Sequence, residues 1–188
     1  TMVIGDVRYP AKIFQLWSKS ELNAIGIYEV VTDSSNFKDE KWYINTNESY
    51  SFADNQVTRS WGTATPKAHA DSLWTQADSD DGDLPDDKEV GDVKVEGLKT
   101  QLIRTLKQQV AGILANTDWY ITRNTEKSTA IPSAISTHRD AVRTKQAEME
   151  TAITNASDTP ALETLYTYTE QEDGTVTRPL GELPTLEI

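Results

Sequence analysis

Leu98-Lys99-Thr100-Gln101-Leu102-Ile103-Arg104-Thr105-Leu106-Lys107-Gln108-Gln109-Val110-Ala111-Gly112-Ile113-Leu114-Ala115 decides how the chain is to be read. Leu98, Leu102, Ile103, Leu106, Val110, Ile113 and Leu114 recur at steps of three and four, so they form one apolar stripe on a helix from about Val93 to Ala115. A second helix follows, with Pro132 near its first turn, Ile135, His138, Val142, Met149, Ala152 and Ile153 at helical spacing, and an end near Asn155. The two stripes predict a packed α-helical hairpin. Ser157-Asp158-Thr159-Pro160 caps a shorter third helix carrying Leu162, Leu165 and Tyr166. Glu172-Asp173-Gly174 then turns the chain into an extended, proline-bearing tail.

Upstream the pattern changes. Residues 76–92 hold Asp78-Ser79-Asp80-Asp81-Gly82-Asp83-Leu84-Pro85-Asp86-Asp87, where like charges repel and little apolar surface can be buried, so they read as an acidic linker. Acids at alternate positions raise the question of a calcium loop, but no register supplies the acids, the glycine and the closing glutamate that such a loop needs. Residues 1–75 are aromatic and β-rich, with candidate strands Ile25–Thr32 and Lys41–Asn45 separated by the turn-forming Asp33-Ser34-Ser35-Asn36. Within this segment Ser18 and Glu21 match a capping box, and Gly26 suits a left-handed helix stop. The expectation is an α+β protein: a small β-rich N-terminal module (1–75), an acidic linker (76–92), and a helical hairpin module with a short third helix and extended tail (93–188).

Composition narrows the chemistry. With 30 acidic and 18 basic residues among 188, the formal charge is −12, which repels phosphate backbones and anionic lipid. Protein partners or neutral glycans are expected, not nucleic acid. No cysteine is present, so thiolate nucleophiles, disulfides and Cys-type metal sites are excluded. No apolar run approaches the roughly 20 residues of a bilayer span, and the N-terminus lacks a signal-peptide layout, so a soluble chain without membrane insertion is expected. The two histidines, His69 and His138, belong to no catalytic motif. Ser35-Asn36-Phe37-Lys38 matches Ser-x-x-Lys, yet its companion motifs are missing. Neither a phosphate-cradling loop nor a dinucleotide fingerprint occurs. A non-enzymatic chain without cofactor or metal is expected.

Contact residues are easier to nominate. Trp17, Trp42, Trp61 and Trp74 lie in the first segment beside Tyr9, and rings of this kind either fill a small core or anchor protein and sugar surfaces. The tail adds Arg178, Leu180, Leu183 and Leu186, in a segment suited to an edge strand or to augmenting a neighbour's sheet. Trp119 and Tyr120 are assigned to packing at the end of the hairpin. Arg139, Arg143 and Lys145 read as an exposed helix face of mixed charge.

Tyr9-Pro10-Ala11 through Ser20-Glu21-Leu22-Asn23-Ala24-Ile25-Gly26-Ile27, then Leu98–Ala115, Thr117-Asp118-Trp119-Tyr120, Ile131-Pro132-Ser133 into an arginine-bearing helix, and Arg178-Pro179-Leu180-Gly181-Glu182 form a recurring pattern. It resembles virion proteins of tailed bacteriophages encoded among tail, baseplate and tail-fibre genes. The likeness covers about half of the chain and is strongest from 98 to 187, while residues 33–92 have no counterpart in it. It implies a non-enzymatic structural component of the tail, baseplate or tail-fibre apparatus, made in the host cytoplasm and located in the virion. Other virion proteins would be its partners, with a homo-oligomer as a further form. The N-terminal Tyr-Pro segment and the C-terminal helix are also similar to tail-fibre assembly chaperones, and the aromatic segment leaves a host-glycan-binding module as a third reading. No catalytic residues come with the resemblance.

Overall fold

The computed structural model describes residues 1–186, a mixed α+β chain that divides between Thr65 and Pro66 into two units. In the first unit β1 (Met2–Ile4) and β2 (Val7–Tyr9) pair antiparallel, followed by α1 (Ile13–Leu16) and α2 (Lys19–Ala24). The Ser18–Glu21 capping box forms as the spacing predicts: Glu21 N–H donates to Ser18 Oγ, and Ser18 N–H donates to Glu21 Oε2 at 2.8 Å. Gly26 ends the helix at φ +83°, where a side chain would be strained. Because Ile25 and Ile27 are drawn into that stop, through N–H bonds to Leu22 O, the expected strand 25–32 is reduced to β3 (Val30–Thr32).

Three strands make the main sheet of this unit. β4 (Tyr43–Ile44) is separate and shorter than the expected 41–45. β5 (Ser49–Ala53) and β6 (Gln56–Ser60) form a hairpin around Asp54-Asn55, both at positive φ as a tight two-residue hairpin turn requires. β3 adds parallel to β6, giving the order β3-β6-β5. The registers Val30↔Val57↔Phe52 and Thr32↔Arg59↔Tyr50 put Val30, Thr32, Tyr50, Phe52, Val57 and Arg59 on one face. Every residue of β3 and β5 is exposed. β7 (Thr65–Pro66) lies where the two units meet in sequence.

The second unit begins with β8 (Ser72–Leu73), α3 (Gln76–Asp80) and β9 (Val93–Val95), with β8 and β9 antiparallel. Residues 76–92, read from sequence as a linker, therefore lie inside this unit. Thr75 and Asp78 make a second capping box, Lys94 pairs with Asp78, and Trp74 N–H donates to Asp92 O while Gly91 N–H returns to Trp74 O. Acidic repulsion is offset by one well-placed lysine sixteen residues on. β9 also takes Val93–Val95 out of the helix expected to begin there, and α4 runs Leu98–Ala115.

α4 starts where the loop 68–71 meets it. Leu98 and Lys99 N–H donate to the Ala68 and His69 carbonyls, and Asp71 accepts from Gly97 N–H at 2.6 Å and Thr100 Oγ1 at 2.7 Å. Free amides and positive end of the helix dipole are thus both answered. Gly97 is required by this approach, because a Cβ there would strike the Ala70 carbonyl.

α5 (Asp118–Lys127) was not expected from its threonines and asparagine; α6 (Ser133–Asn155) and α7 (Thr159–Tyr166) were. Lys99 Nζ donates to Thr154 O and Arg139 Nη1 to Leu114 O, so α4 and α6 run antiparallel. Leu106 and Val110 of α4, Val142, Met149 and Ile153 of α6, and Leu162 of α7 fill the core. β10 (Thr169–Glu170) and β11 (Val176–Thr177) form a small hairpin about Gly174. The described residues then continue to Leu186 without ladder partners, with Leu180 buried and its N–H donating to Leu165 O.

Candidate functional site

An apolar cleft lies in the second unit. Ile113 and Thr117 at the end of α4, Trp119 and Tyr120 of α5, Ile135 and His138 of α6, and the tail from Leu183 to Leu186 enclose about 480 Å³. That size lies within the roughly 300–1,000 Å³ usual for binding clefts. Beneath it, Arg139 closes the helix junction: its Nη1 donates to Leu114 O at 2.8 Å and Thr117 Oγ1 at 2.7 Å, and it pairs with Asp118 at 2.9 Å. A cation at the carboxyl end of α4 meets the negative end of that helix's dipole. The expectation of an exposed Arg139 is thereby corrected, since only 8% of the residue reaches solvent. Helical spacing alone put it beside Arg143, and the α4–α5 corner was not visible.

Trp119 and Tyr120 stack with ring centroids 3.8 Å apart, and Arg123, one turn on, lies over both at 4.8 and 5.4 Å. Trp119 remains half exposed. The sequence signal for this group was the Trp119/Arg123 spacing of four, which puts a cation over a ring once α5 is known to be helical.

The nominated contact residues fall in several places. Tyr9 and Trp17 meet edge to face at 5.8 Å in the first unit. Trp42 is buried at 3% exposure, so it packs inside the chain and is not open to a partner. Trp61 lies against Phe37 at 4.8 Å with Arg59 over it at 4.5 Å. Trp74, in the second unit, carries Lys94 over its ring at 4.3 Å. Arg178 lies over Tyr166 and Tyr168 and pairs with Glu182 at 2.8 Å. Leu180 is buried, which removes it from any external contact, whereas Leu183 and Leu186 line the cleft. Beyond β11 the described tail adds no strand to a sheet, and Glu187 and Ile188 lie outside the described residues.

The surface that sequence reading missed is the sheet of the first unit. Tyr50 is 60% and Phe52 57% exposed, and Val30 on the same face is about half exposed. A period-two signal in Tyr50/Phe52 and Val57/Arg59 was present, but it is short. No helix among the described residues is long and apolar enough to cross a membrane. No protein-family model matches the chain, and no curated protein or solved structure shows detectable similarity to it.

Proposed function

We propose that this chain is a non-enzymatic structural component of a tailed-phage particle, in its tail, baseplate or tail-fibre apparatus, where it contacts other virion proteins. One observation carries the reading beyond the resemblance: the uncovered three-stranded sheet of the first unit. A sheet of strands three to five residues long gains stability by burying an apolar face against another layer. Here Val30, Tyr50 and Phe52 are left in solvent on one face. Exposed apolar surface of this kind marks interaction sites on soluble domains. A neighbouring subunit that covers it supplies the missing layer. The antiparallel α4 and α6 give a rigid body, and the Trp119 cleft with the tail gives a second contact point.

Mass spectrometry of purified particles tests this directly. The chain is expected at a fixed stoichiometry to the tail proteins. Absence from mature particles would refute a structural role, and fibres that misfold without the chain would then make it an assembly chaperone.

A further inference from the structure

A second cleft, within the first unit, has a lining unlike that of the apolar one. It encloses about 510 Å³ at the end of the sheet face described above, between β3, the loop carrying Phe37, and β6 with Trp61 after it. Its chemistry is mixed. Phe37 and Trp61 supply a ring wall, Thr32 and Ser34 supply hydroxyls, and Arg59 and Glu48 supply paired charges. The cross-strand register places Arg59 opposite Tyr50, so that Glu48 reaches both from the start of β5.

The hydrogen bonding in this group is lopsided. Tyr50 hydroxyl and Arg59 Nε both donate to Glu48 Oε1, each at 2.7 Å. Both bonds fall on Oε1 and engage only the Nε of Arg59, so Glu48 Oε2 and the terminal amino groups of Arg59 stand outside this pair of contacts. The tyrosine hydroxyl, and after it the guanidinium, hold the Glu48 carboxyl below its ordinary range, so it is an ionised acceptor at neutral pH. Arg59 is fixed from the other side by stacking on Trp61. The loop is fixed too, because the Asn45 side chain accepts from Lys38 N–H and donates to Lys38 O. An ionised acceptor and a two-pronged donor therefore stand beside an aromatic wall.

We infer that this cleft binds a neutral polyhydroxylated ring, that is, a sugar residue. Glu48 Oε2 accepts from a ligand hydroxyl, the Arg59 amino groups donate to hydroxyl or ring oxygens, and the Phe37–Trp61 wall takes the C–H face. A neutral ligand is specified by charge: Glu48 already balances Arg59 and the whole chain carries −12, so a sugar carboxylate would be repelled. The inference does not depend on the virion reading, and it gives the glycan expectation a place and a set of contacts.

The test is a titration of the full chain with methyl glycosides of glucose, galactose, mannose and N-acetylglucosamine, with methyl glucuronide as the acidic comparator, followed by amide NMR shifts. Saturable shifts confined to residues 32–61 are expected for at least one neutral glycoside, with a Kd on the order of 1 mM. Glu48→Gln at an exposed position and Arg59→Lys at a half-buried one, each with a spectrum that reports folding, should each weaken binding about tenfold, equal to about 1.4 kcal/mol. Trp119→Ala, in the other cleft, should change nothing. No saturable shift with any neutral glycoside, shifts that both variants leave unaltered, or tighter binding of the glucuronide would each overturn the inference. A chain found in particles but blind to sugars sinks this inference alone; one that binds glycosides but is absent from particles sinks only the virion role.

Discussion

Val142, Ile153 and Leu162 of the second unit have no solvent exposure at all, while Tyr50 and Phe52 of the first stand more than half in solvent. The same chain thus handles apolar residues in two ways. In the second unit three helices pack their stripes on one another, and even a charged residue, Arg139, is drawn in with its hydrogen bonds met. In the first, short strands and small aromatic pairs hold local shape and leave a sheet face without a covering layer. The contrast separates helices buried against one another from a sheet face left open to solvent.

The comparison breaks if core truncation in the second unit is mild. Ile153→Ala or Leu162→Ala should cost about 2–5 kcal/mol, because both are fully buried and a cavity remains. For a chain of this size, thermal unfolding should fall by roughly 2–4 °C per kcal/mol. Gly97→Ala should cost about 1–3 kcal/mol, since its methyl meets the Ala70 backbone and not a movable side chain. Arg139→Ala belongs in the same range, about 1–3 kcal/mol, through the loss of the buried guanidinium's charge-assisted bonds to Leu114 O and Thr117 Oγ1. Asp118→Asn should cost less, as that carboxylate is 60% exposed. Urea unfolding of each variant measures all of these.

Acid should act next, and on both units. Asp78 is held far below the ordinary carboxylate range by Lys94 and then Thr75, and Glu21 is lowered by its Ser18 bonds. A carboxyl lowered on folding stabilises the fold above its unfolded pKa of about 4, and that contribution is lost as pH falls through the folded value. Melting temperature should therefore decline below about pH 4, and Asp78→Asn should flatten the decline for amides 72–95 while leaving those near Glu21 unchanged. The smallest effect in the isolated chain is expected from the sheet face. Phe52→Ala should shift stability by only about 0.5–1 kcal/mol, through its ring contact with Tyr28, yet it should reduce incorporation into particles, measured by mass spectrometry of particles assembled with the variant.

Much of the second unit was legible because its signals are long or local. The α4 stripe, the end of α6 near Asn155 and the Asp158 cap need no knowledge of the rest of the chain. The start of α4 was not legible, since it depends on Asp71 and the Ala68 and His69 carbonyls, more than twenty residues upstream. The acidic stretch failed for the same reason: Thr75 and Asp78 were a readable cap, but Lys94 had to be brought to them. α5 was hidden by its polar composition. In the first unit, strands of two to five residues leave too short a pattern for period counting, so the Arg59–Glu48–Tyr50 group emerged only with the register.

Hydrogen exchange on the isolated chain and on the same chain within purified particles tests the central claim most directly. In isolation, amides of α4 and α6 should exchange slowly and those of residues 30–32 and 49–60 quickly, because the exposed sheet opens at low cost. In particles, residues 30–32 and 49–60 should gain protection while α4 and α6 stay as they were. Equal protection of the sheet in both states, or a chain missing from the particle, would contradict the account.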